Sequence, residues 1–518
     1  MENQDPILVL AQGEWSLLTS QSIFSATAKY PYEQTLVHHA AGVYFQNAHL
    51  NASQSVSMKD STSLAKQTIE IKNERKKILG YWCTKAVTVV NSNTIELWFT
   101  TDLKVKGAPT ILGQQLGLVL EMVRNNNCMM RASKVERLKS LSLDTKIFNA
   151  NLVDALTYRD MIWNARFSTI PVFAQEKIHF SDQTTANTGV QKFANGTIAI
   201  KKVDFPKLAS NAHLFLELTT QSTGAAYDRT GSVFMIPEDK IQSFKNGLEH
   251  GVSTLPEYQN GNGNKYQGVA ATNEYNPPIE LMRFFTPFGV GQYNYIQLKG
   301  KTWLNEVSYR QDLSEFVNYL SEKSVWIGVF IGNYDAGGHE VTAEFTVHEG
   351  EMNYFSTQKM FPLFQTTNVM EMAGQNYGTM FDHENGMEVK IRLDQPLKNA
   401  TLRYISTGHG AWLNGDEFVS KINKIFLNQS LVYSFIPWRS DCGSYRLYNP
   451  ASSNFNNGLS SSDYSRSNWC PGTTTSPVFI PLGNLEAGEH TFKIQIPQGK
   501  PEGESFSSWN VSGVLIGE

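Results

Sequence analysis

The 518-residue sequence predicts a mainly β protein built from β-sandwiches, and its C-terminal two thirds carry the evidence. The stretch "MEVKIRLDQP" (Met387–Pro396) alternates apolar and charged residues, which is the period of a half-buried strand. "HTFKIQIPQG" (His490–Gly499) repeats this pattern and ends at proline and glycine. Turn clusters such as "NGNGN" (Asn260–Asn264) separate further segments of this kind. Short strands at this spacing predict sandwiches.

The remaining segments fit the same fold class. "GTIAIKKVDF", "HLFLELTT" and "EFTVHEGE" read as further strands. One helix is predicted in "PEDKIQSFKNGL", which has proline and acids at its start and glycine near its end. The N-terminal third differs, because basic segments such as "KNERKK" alternate with strands such as "NTIELWFTTDL". We therefore expect a β-rich N-terminal domain.

Two domain boundaries follow from the length and from two polar stretches. A chain of this length is too long for one core, so two to four domains are expected. "SDQTTANTGVQ" (Ser181–Gln191) has no apolar period, and we place the main boundary just before it. A second boundary is expected near "EGEMNYFSTQ". The predicted domains are 1–178, 179–352 and 353–518.

The composition excludes several function classes. The net charge of −4 gives no sign of a nucleic-acid partner. No apolar run approaches the roughly 20 residues that a membrane span needs. The aromatic content of 12% suits both β-strands and saccharide-binding surfaces, so it decides nothing alone. No signal peptide is visible at the start, which is compatible with a mature chain given a start methionine.

The four cysteines leave two alternatives open. Cys83, Cys128, Cys442 and Cys470 include no CxxC pair, which disfavours a zinc ribbon or a thioredoxin-like site. An even count split between two regions is compatible with two disulfides and an oxidising compartment. Free thiols remain the alternative, above all for Cys83 and Cys128.

The usual nucleotide, metal and serine-hydrolase motifs are missing. The sequence has neither GxxxxGK[ST] nor GxSxG. "HENGM" places Met387 where the second histidine of HExxH would stand. His38 and His39 are neighbours, which in a strand point to opposite faces. No metal site and no cofactor are predicted.

One candidate acid lies in "GAAYDRTGSVFMI". Asp228 precedes a predicted strand and has Tyr227 and Arg229 as neighbours. An acid at a strand mouth is a plausible catalytic group when an arginine holds it ionised and an aromatic ring can stack on a sugar. A capping aspartate with a surface ion pair explains the same residues.

The second candidate lies in "STGHGAWLNGDEF" (Ser406–Phe418). Asn414 and Gly415 signal a turn, after which Glu417 is expected to begin the next strand. Asp416 and Glu417 would then lie on opposite faces, so at most one enters a shared pocket. An inward carboxylate is costly unless it is used. A solvated acidic hairpin remains the alternative.

Four stretches, in order, resemble the bacterial peptide-N-glycosidase F family, which releases whole N-glycans from glycoproteins. They are "YDRTGSVFMI", "ELMRFFTPFGVG", "ISTGHGAWLNGDEF" and "SSSDYSRSNWCPG". The resemblance runs from about residue 185 to near the C-terminus. It implies two adjacent jelly-roll β-sandwiches with the active site at their interface, preceded by the β-rich N-terminal domain. That extra domain resembles the longer branch of the family, in which it would shape or shield the cleft.

The resemblance also implies the site residues. Asp228 would be the principal catalytic residue and Glu417 its partner from the second sandwich. Arg466 would line the same cleft, and a disulfide is implied between Cys442 and Cys470. Further substrate contacts are expected from the residues Tyr227, Arg229, His409 and Trp412.

The chain departs from the family's pattern near "FIGNYDAGG". Gly332 stands where the family has a third acidic residue, and Asp335 is the candidate replacement. The aromatic residue before the catalytic aspartate is Tyr227 here, where the family has tryptophan.

The activity implied is hydrolysis of the amide between an asparagine side chain and the first N-acetylglucosamine, which leaves aspartate. N-glycosylated proteins and glycopeptides would be the substrates, with no organic cofactor or metal. The resemblance and the implied disulfide indicate a secreted or periplasmic protein, and we expect a monomer. A glycan-binding lectin or adhesin and an endo-glycoside hydrolase are the alternatives, because fold alone does not fix function.

Overall fold

The computed structural model describes residues 5–138, 143–181, 185–350, 359–376, 379–450 and 460–518, without the side chain of residue 147. The chain divides into two compact units, Met1–Ser168 and Thr169–Glu518. In the described residues no helix has both the length and the apolar character of a membrane span.

The first unit contains two antiparallel sheets in which each strand pairs with the next along the chain. One sheet consists of β1 (Ile7–Gln12), β2 (Trp15–Ser20), β3 (Tyr32–His38), β4 (Val43–His49) and β5 (Ser55–Asp60). The other consists of β6 (Glu70–Ile78), β7 (Tyr81–Val90), β8 (Asn93–Thr100), β9 (Leu118–Arg124) and β10 (Cys128–Arg131). The β-rich character predicted for this part of the chain is confirmed.

Two α-helices belong to this unit, α1 (Gln21–Phe24) and α2 (Ala155–Ala165). Helix α2 begins after Asp154, whose carboxylate accepts hydrogen bonds from two backbone N–H groups of the first turn. Its buried side chains, Tyr158 and Ile162, are four residues apart and therefore share the face that packs on the first sheet.

The second unit begins with a sandwich of two antiparallel sheets. One has the order β11-β21-β14-β19, and the other has the order β12-β13-β20-β15-β18-β27. The strands are β11 (Phe167–Ile178), β12 (Val190–Phe193), β13 (Ile198–Asp204), β14 (His213–Ser222), β15 (Thr230–Ile236), β18 (Ile279–Phe285), β19 (Glu306–Asp312), β20 (Ser324–Ile331), β21 (His339–His348) and β27 (Thr474–Thr475). A small hairpin joins β16 (Glu257–Tyr258) and β17 (Tyr266–Gln267).

The second sandwich has two four-stranded sheets, of order β22-β30-β24-β28 and β23-β29-β25-β26. Its strands are β22 (Lys359–Gln365), β23 (Met387–Leu393), β24 (Leu397–His409), β25 (Asn423–Leu427), β26 (Ser430–Phe435), β28 (Val478–Leu485), β29 (Gly488–Gln495) and β30 (Ser508–Gly517). The predicted fold class, mainly β with two adjacent sandwiches after a β-rich N-terminal domain, is confirmed.

The remaining elements of the described residues are short. They are the helices α3 (Phe244–His250) and α4 (Val317–Leu320), and single 3-10 turns at Ile147–Asn149, Ala194–Gly196, Val252–Thr254, Ser314–Phe316, Glu371–Ala373, Met380–Asp382, Cys442–Tyr448 and Ser461–Asp463.

The predicted helix is present but begins later than its sequence suggests. Pro237 and the acids after it lie outside α3, which begins at Phe244. Ser243 precedes the helix and forms a capping box with Asn246, whose Oδ1 accepts from the Ser243 backbone N–H at 2.8 Å. The local cap therefore sets the start, and Phe244 and Leu248 pack on the outer face of the six-stranded sheet.

The main boundary lies earlier than 178. Strand β11 falls before the predicted boundary, yet it is an edge of the first sandwich, because it pairs with β21. The polar stretch that suggested the boundary follows this strand instead of preceding the sandwich. The second predicted boundary, at 352–353, lies outside the described residues.

The strands of the first sandwich show two patterns of burial. In β14 every second residue is buried, as the alternating sequence predicts. Strands β15 and β18 are buried almost throughout, because the six-stranded sheet has apolar clusters on both faces and meets the second sandwich at its edge. These two strands therefore bury polar side chains, which bond to one another and to residues of the second sandwich.

A buried ion pair joins the two sandwiches. Glu280 and Arg283, both in β18, are paired through two hydrogen bonds of 3.0 and 2.7 Å, and neither side chain is exposed. The Arg283 guanidinium also donates to Thr407 Oγ1 at 3.0 Å and to the Asn510 carbonyl at 2.5 Å. A fifth bond, of 3.0 Å, reaches Thr367. Three elements of the second sandwich are thus held by one side chain of the first.

A second buried pair lies beside the first. Arg403 of β24 donates to Glu315 at 2.7 Å and to the backbone carbonyls of Glu280 and Leu281 at 2.8 and 3.1 Å. Because buried charges are costly unless fully bonded, these contacts fix how the sandwiches meet.

We expect Arg283→Met to lower the free energy of unfolding by about 3–5 kcal/mol, because Glu280 would remain buried without its partner. Lys390→Met is the matched control, since it breaks an ion pair whose side chains are 59% and 63% exposed; its effect should stay within about 1 kcal/mol. Urea denaturation followed by tryptophan fluorescence measures both. Equal effects of the two substitutions would contradict this role of Arg283.

Candidate active site

A cavity of about 360 Å³ lies where the two sandwiches meet, and both contribute to its wall. Asp228 and Tyr227 come from the loop before β15, whereas Glu417 and His409 come from the end of β24 and the turns after it. The two carboxylates that the resemblance pairs are therefore brought together across the groove.

One guanidinium joins these carboxylates. Arg466 Nη1 donates to Asp228 Oδ2 at 3.1 Å and to Glu417 Oε1 at 2.6 Å. The Arg466 side chain is 1% exposed, Glu417 is 7% exposed, and Asp228 is 19% exposed toward the cavity. Because both oxygens contact the same nitrogen, two negative groups share one positive charge.

The Asp228 loop is fixed by the strand beside it. The Arg229 backbone N–H donates to Thr286 Oγ1 at 2.8 Å, and the Thr286 N–H donates to the Arg229 carbonyl at 3.0 Å. Thr286 Oγ1 also donates to the Tyr227 carbonyl at 3.2 Å. The threonine in "ELMRFFTPFGVG" thus holds both neighbours of Asp228.

Glu417 does not begin a strand, so this local prediction is wrong. The residues between β24 and β25 form consecutive turns, and β25 begins only at Asn423. A Cβ at Gly415 would approach the Gly410 carbonyl oxygen to 2.1 Å, so Gly415 allows two backbone segments to touch. This close approach, and not a hairpin, is the reason for the glycine.

Asp416 and Glu417 differ in their surroundings. Asp416 accepts from the Gly499 N–H at 2.9 and 3.1 Å and from Trp509 Nε1 at 2.8 Å, and it has Lys421 at 3.4 Å. Asp416 is therefore a structural anchor outside the cavity wall, which leaves Glu417 to face the cavity. Only one of the two adjacent acids enters the pocket, as predicted.

Arg466 is held from both sides. Its backbone exchanges hydrogen bonds of 2.8 and 2.9 Å with Arg439, and its Nη2 donates to the Ser461 carbonyl at 2.5 Å. The guanidinium also lies over the rings of Trp469 and Phe418, at 4.4 and 5.2 Å from their centroids. Packing and hydrogen bonds together fix its direction.

The disulfide implied by the resemblance is present. Cys442 and Cys470 are bonded and join the Arg439 segment to the loop of Arg466. In the same loop the Ser467 N–H donates to the Glu417 carbonyl at 2.9 Å. Cys83 and Cys128 are free, the former buried and the latter exposed.

The surroundings of Asp228 and Glu417 raise the pKa values of both acids. Burial raises the pKa of Glu417, with the charge of Asp228 acting in the same direction and Arg466 opposing it. Burial also raises the pKa of Asp228, against the influence of Arg466 and of Arg229. The pair therefore titrates as a unit and favours keeping one proton.

Arg229 forms no ion pair with Asp228 and acts on it only through its nearby charge. Its guanidinium lies between the rings of Tyr227 and Tyr334, at 4.9 and 4.8 Å from their centroids. Its nearest carboxylate is Asp335, at 3.7 Å, and its buried Nε has no hydrogen-bond partner in the described part of the chain. Arg229 lines the cavity and Asp335, 44% exposed, does not.

His409 and Trp412 have different positions. His409 lines the cavity, and its Nε2 lies 2.9 Å from Thr407 Oγ1. Burial, with Arg283 and Arg466 nearby, lowers the pKa of His409 to about 3, so the ring is neutral. Trp412 packs against Gly410 and Gly415 and is not part of the cavity wall.

Sequence reasoning did not identify several residues of the cavity wall, among them Trp469, Asn368, Glu371 and Tyr334. Trp469 lies in the quoted "SRSNWCPG" stretch, where its proximity to Arg466 was the available signal. Asn368 and Glu371 belong to the loop after β22, which carries no motif. Tyr334 donates to Glu371 at 2.6 Å and brings that carboxylate to the wall near Gly332.

Metal ligands are not grouped anywhere in the part of the chain that is described. No three or more His, Cys, Asp or Glu side chains come together there as a metal site would require.

Comparisons with known proteins agree along the whole chain. Three family models match in order: "N-glycanase peptide, N-terminal domain" at 1–160, "Peptide-N-glycosidase F, N terminal" at 169–347 and "Peptide-N-glycosidase F, C terminal" at 376–516. No curated protein matches.

Solved structures give the same relationship. PNGF-II in its C2 crystal form is 53% identical, with a TM-score of 0.91, over 100% of this chain and 95% of that one. Its P21 form gives a TM-score of 0.94, again at 53% identity, over 100% and 96%. PNGase F from Flavobacterium meningosepticum is 16% identical over 68% of this chain and 96% of that one, with a TM-score of 0.46. Since a relative of 53% identity aligns over the full length, this chain belongs to the peptide-N-glycosidase F family.

Proposed function

We propose that Asp228, Glu417 and Arg466 form the catalytic centre of this peptide-N-glycosidase. The reaction is hydrolysis of the amide that joins an asparagine side chain to the first N-acetylglucosamine of an N-glycan. The observation that supports these roles is the contact of both carboxylates with Arg466 Nη1 beside the cavity. The products are aspartate and a glycosylamine, which then loses ammonia to give the intact glycan.

An amide is a poor electrophile, so the active site must perform three tasks. Water has to be activated, the developing oxyanion stabilised and the leaving nitrogen protonated. Asp228 is the more exposed of the two acids, so it takes the proton from the attacking water as the water oxygen bonds to the amide carbon. Glu417 is more deeply buried than Asp228, so we assign the proton of the pair to Glu417. It returns a proton to the leaving nitrogen, through water or directly, as the carbon–nitrogen bond breaks.

Arg466 and Arg229 have different roles at the site. Arg466 Nη1 and Nη2 are engaged by the two carboxylates and by a backbone carbonyl, so Arg466 positions the acids. Arg229 lines the cavity with no carboxylate closer than 3.7 Å. It is therefore the cation that stabilises negative charge on the substrate, and the exposed ring of Tyr227 beside it offers a surface for a sugar.

Cleavage between sugars fits this geometry less well. Glycoside hydrolases place two acids on either side of a sugar bond, about 5–10 Å apart. Here two carboxylate oxygens contact one nitrogen, at 3.1 and 2.6 Å, which is too close for an inverting glycosidase, whose acids are about 6.5–9.5 Å apart. A lectin would bind a glycan without turnover and would gain nothing from two buried acids that share one cation.

We also infer an oxidising location and a monomeric state. The disulfide between Cys442 and Cys470 supports a secreted or periplasmic protein, since such bonds persist in oxidising compartments. We expect a monomer that acts on glycoproteins, and its sedimentation in solution tests this state.

We expect Asp228→Asn to lower the rate of glycan release by at least about 100-fold, because the variant cannot take the proton of water. The assay follows a glycopeptide by mass spectrometry. The active enzyme leaves aspartate, whereas a glycosidase leaves N-acetylglucosamine on the peptide. Asp394→Asn is the matched control, because Asp394 is exposed and does not line the cavity, and its rate of glycan release should fall by less than about 10-fold. Near-normal release by Asp228→Asn would overturn the assignment.

For Glu417→Gln we expect a similarly severe fall in kcat, about 100-fold or more, with little change in KM. Glutamine preserves the size of the side chain and cannot give up a proton. In the parent enzyme one limb of the pH profile should lie above the ordinary glutamate pKa of about 4.3, and the variant should lack it. A loss of only a few-fold would leave Glu417 a structural role.

Glu417→Gln should also alter the pH dependence of stability. Since folding raises the pKa of Glu417, the folded state binds more protons than the unfolded state between the ordinary and the raised value. The parent's free energy of unfolding therefore decreases as pH rises through this window. The variant lacks this decrease, so its stability relative to the parent should rise by about 1 kcal/mol or more between pH 4.5 and 8.

Urea denaturation across this pH range measures the difference. Glu486→Gln, at an exposed position between β28 and β29, is the control for the loss of a surface carboxylate, and the pH-dependent difference from the parent should be larger for Glu417→Gln. If the difference in free energy of unfolding between Glu417→Gln and the parent does not vary with pH, folding does not raise the pKa of Glu417.

A further inference from the structure

Asn368 is a cavity residue whose hydrogen-bonding capacity is unused. It lies in the cavity wall that also contains Asp228 and Glu417, and it is 7% exposed. Neither its Nδ2 nor its Oδ1 has a partner among the described residues. A buried amide without partners is unfavourable by about 1–3 kcal/mol, and native proteins contain few of them. Its partner therefore lies outside the described residues.

The backbone around Asn368 is fixed, which sets where its side chain begins. Thr367 accepts from the buried Arg283, and the Val369 N–H donates to the Thr367 carbonyl at 2.8 Å. Val369 and Met370 are each 1% exposed and pack in an apolar cluster. The Glu371 N–H donates to the Asn368 carbonyl at 3.2 Å. The amide is thus presented on a rigid segment.

We propose that Asn368 binds the first N-acetylglucosamine through two adjacent groups of its ring, the acetamido carbonyl and the neighbouring 3-hydroxyl. A side-chain amide donates from Nδ2 and accepts at Oδ1, side by side. It therefore matches two neighbouring sugar groups of which one accepts and the other donates. The proposal rests on the proposed function, because it concerns the substrate of the same site.

The cavity size favours the first sugar over the outer ones. At about 360 Å³ the cavity is near the lower limit of small-ligand sites. It has room for the reacting amide and the sugar attached to it, and not for a whole glycan. Asn368 would then act as a substrate-binding residue that distinguishes this sugar from its analogues, because an unpaired site amide penalises a substrate that lacks the matching group.

The test compares two synthetic glycopeptides that differ only in the 3-hydroxyl of the first N-acetylglucosamine. The parent enzyme should release the glycan of the 3-deoxy analogue with a kcat/KM roughly 10- to 100-fold lower. Asn368→Ala should lose activity on the normal substrate and should show a ratio near one between the two substrates. Asn376→Ala is the matched control, since Asn376 is exposed, bonds to the Lys265 carbonyl and lies outside the cavity wall.

The outcomes separate this inference from the proposed function. If the parent releases glycans but treats both substrates alike, Asn368 does not bind this edge of the sugar and the inference fails, whether or not Asn368→Ala folds. An unchanged ratio in a folded Asn368→Ala overturns it as well. If the parent does not convert asparagine to aspartate in either glycopeptide, the proposed function itself fails.

Discussion

The geometry of the cavity depends on the buried pair of Glu280 and Arg283. Burying these charges is costly, and five hydrogen bonds from the guanidinium offset that cost. Three of the bonds reach the second sandwich, at Thr407, Asn510 and Thr367. Thr407 lies two residues before His409, and Thr367 is adjacent to Asn368. The pair that joins the sandwiches therefore also sets the position of two cavity walls.

A second constraint is the imbalance of charge around Arg466. Asp416 and Glu417 are adjacent, buried and chemically alike, yet Asp416 is bonded to the Gly499 N–H and to Trp509, away from any other carboxylate. Glu417 instead shares one guanidinium nitrogen with Asp228. A chain selected only for stability would satisfy both acids in the manner of Asp416. The unfavourable arrangement of Glu417 and Asp228 keeps a proton within reach of the cavity, which is what amide hydrolysis requires.

The sequence predicted those features that depend on local patterns. Alternation identified strands such as β14 and β23, and the motif order placed Asp228, Glu417 and Arg466 at one site. Features that depend on distant contacts were not accessible. Gly415 marked a hairpin in the sequence but serves a close approach to Gly410. Asn368 lies in a loop that carries no motif. Its position depends on Arg283 of the other sandwich, which donates to the neighbouring Thr367.

The roles of the two arginines illustrate why adjacency in sequence is a poor guide to pairing. Arg229 follows Asp228 directly, but successive residues point in different directions, and its guanidinium lies between Tyr227 and Tyr334. Arg466, far along the chain, reaches Asp228 because the disulfide-linked loop carries it there. A guanidinium between two rings keeps its charge while its hydrogen-bond donors remain available. One arginine is therefore committed to the acids, and the other is left to meet the charge that develops on the substrate.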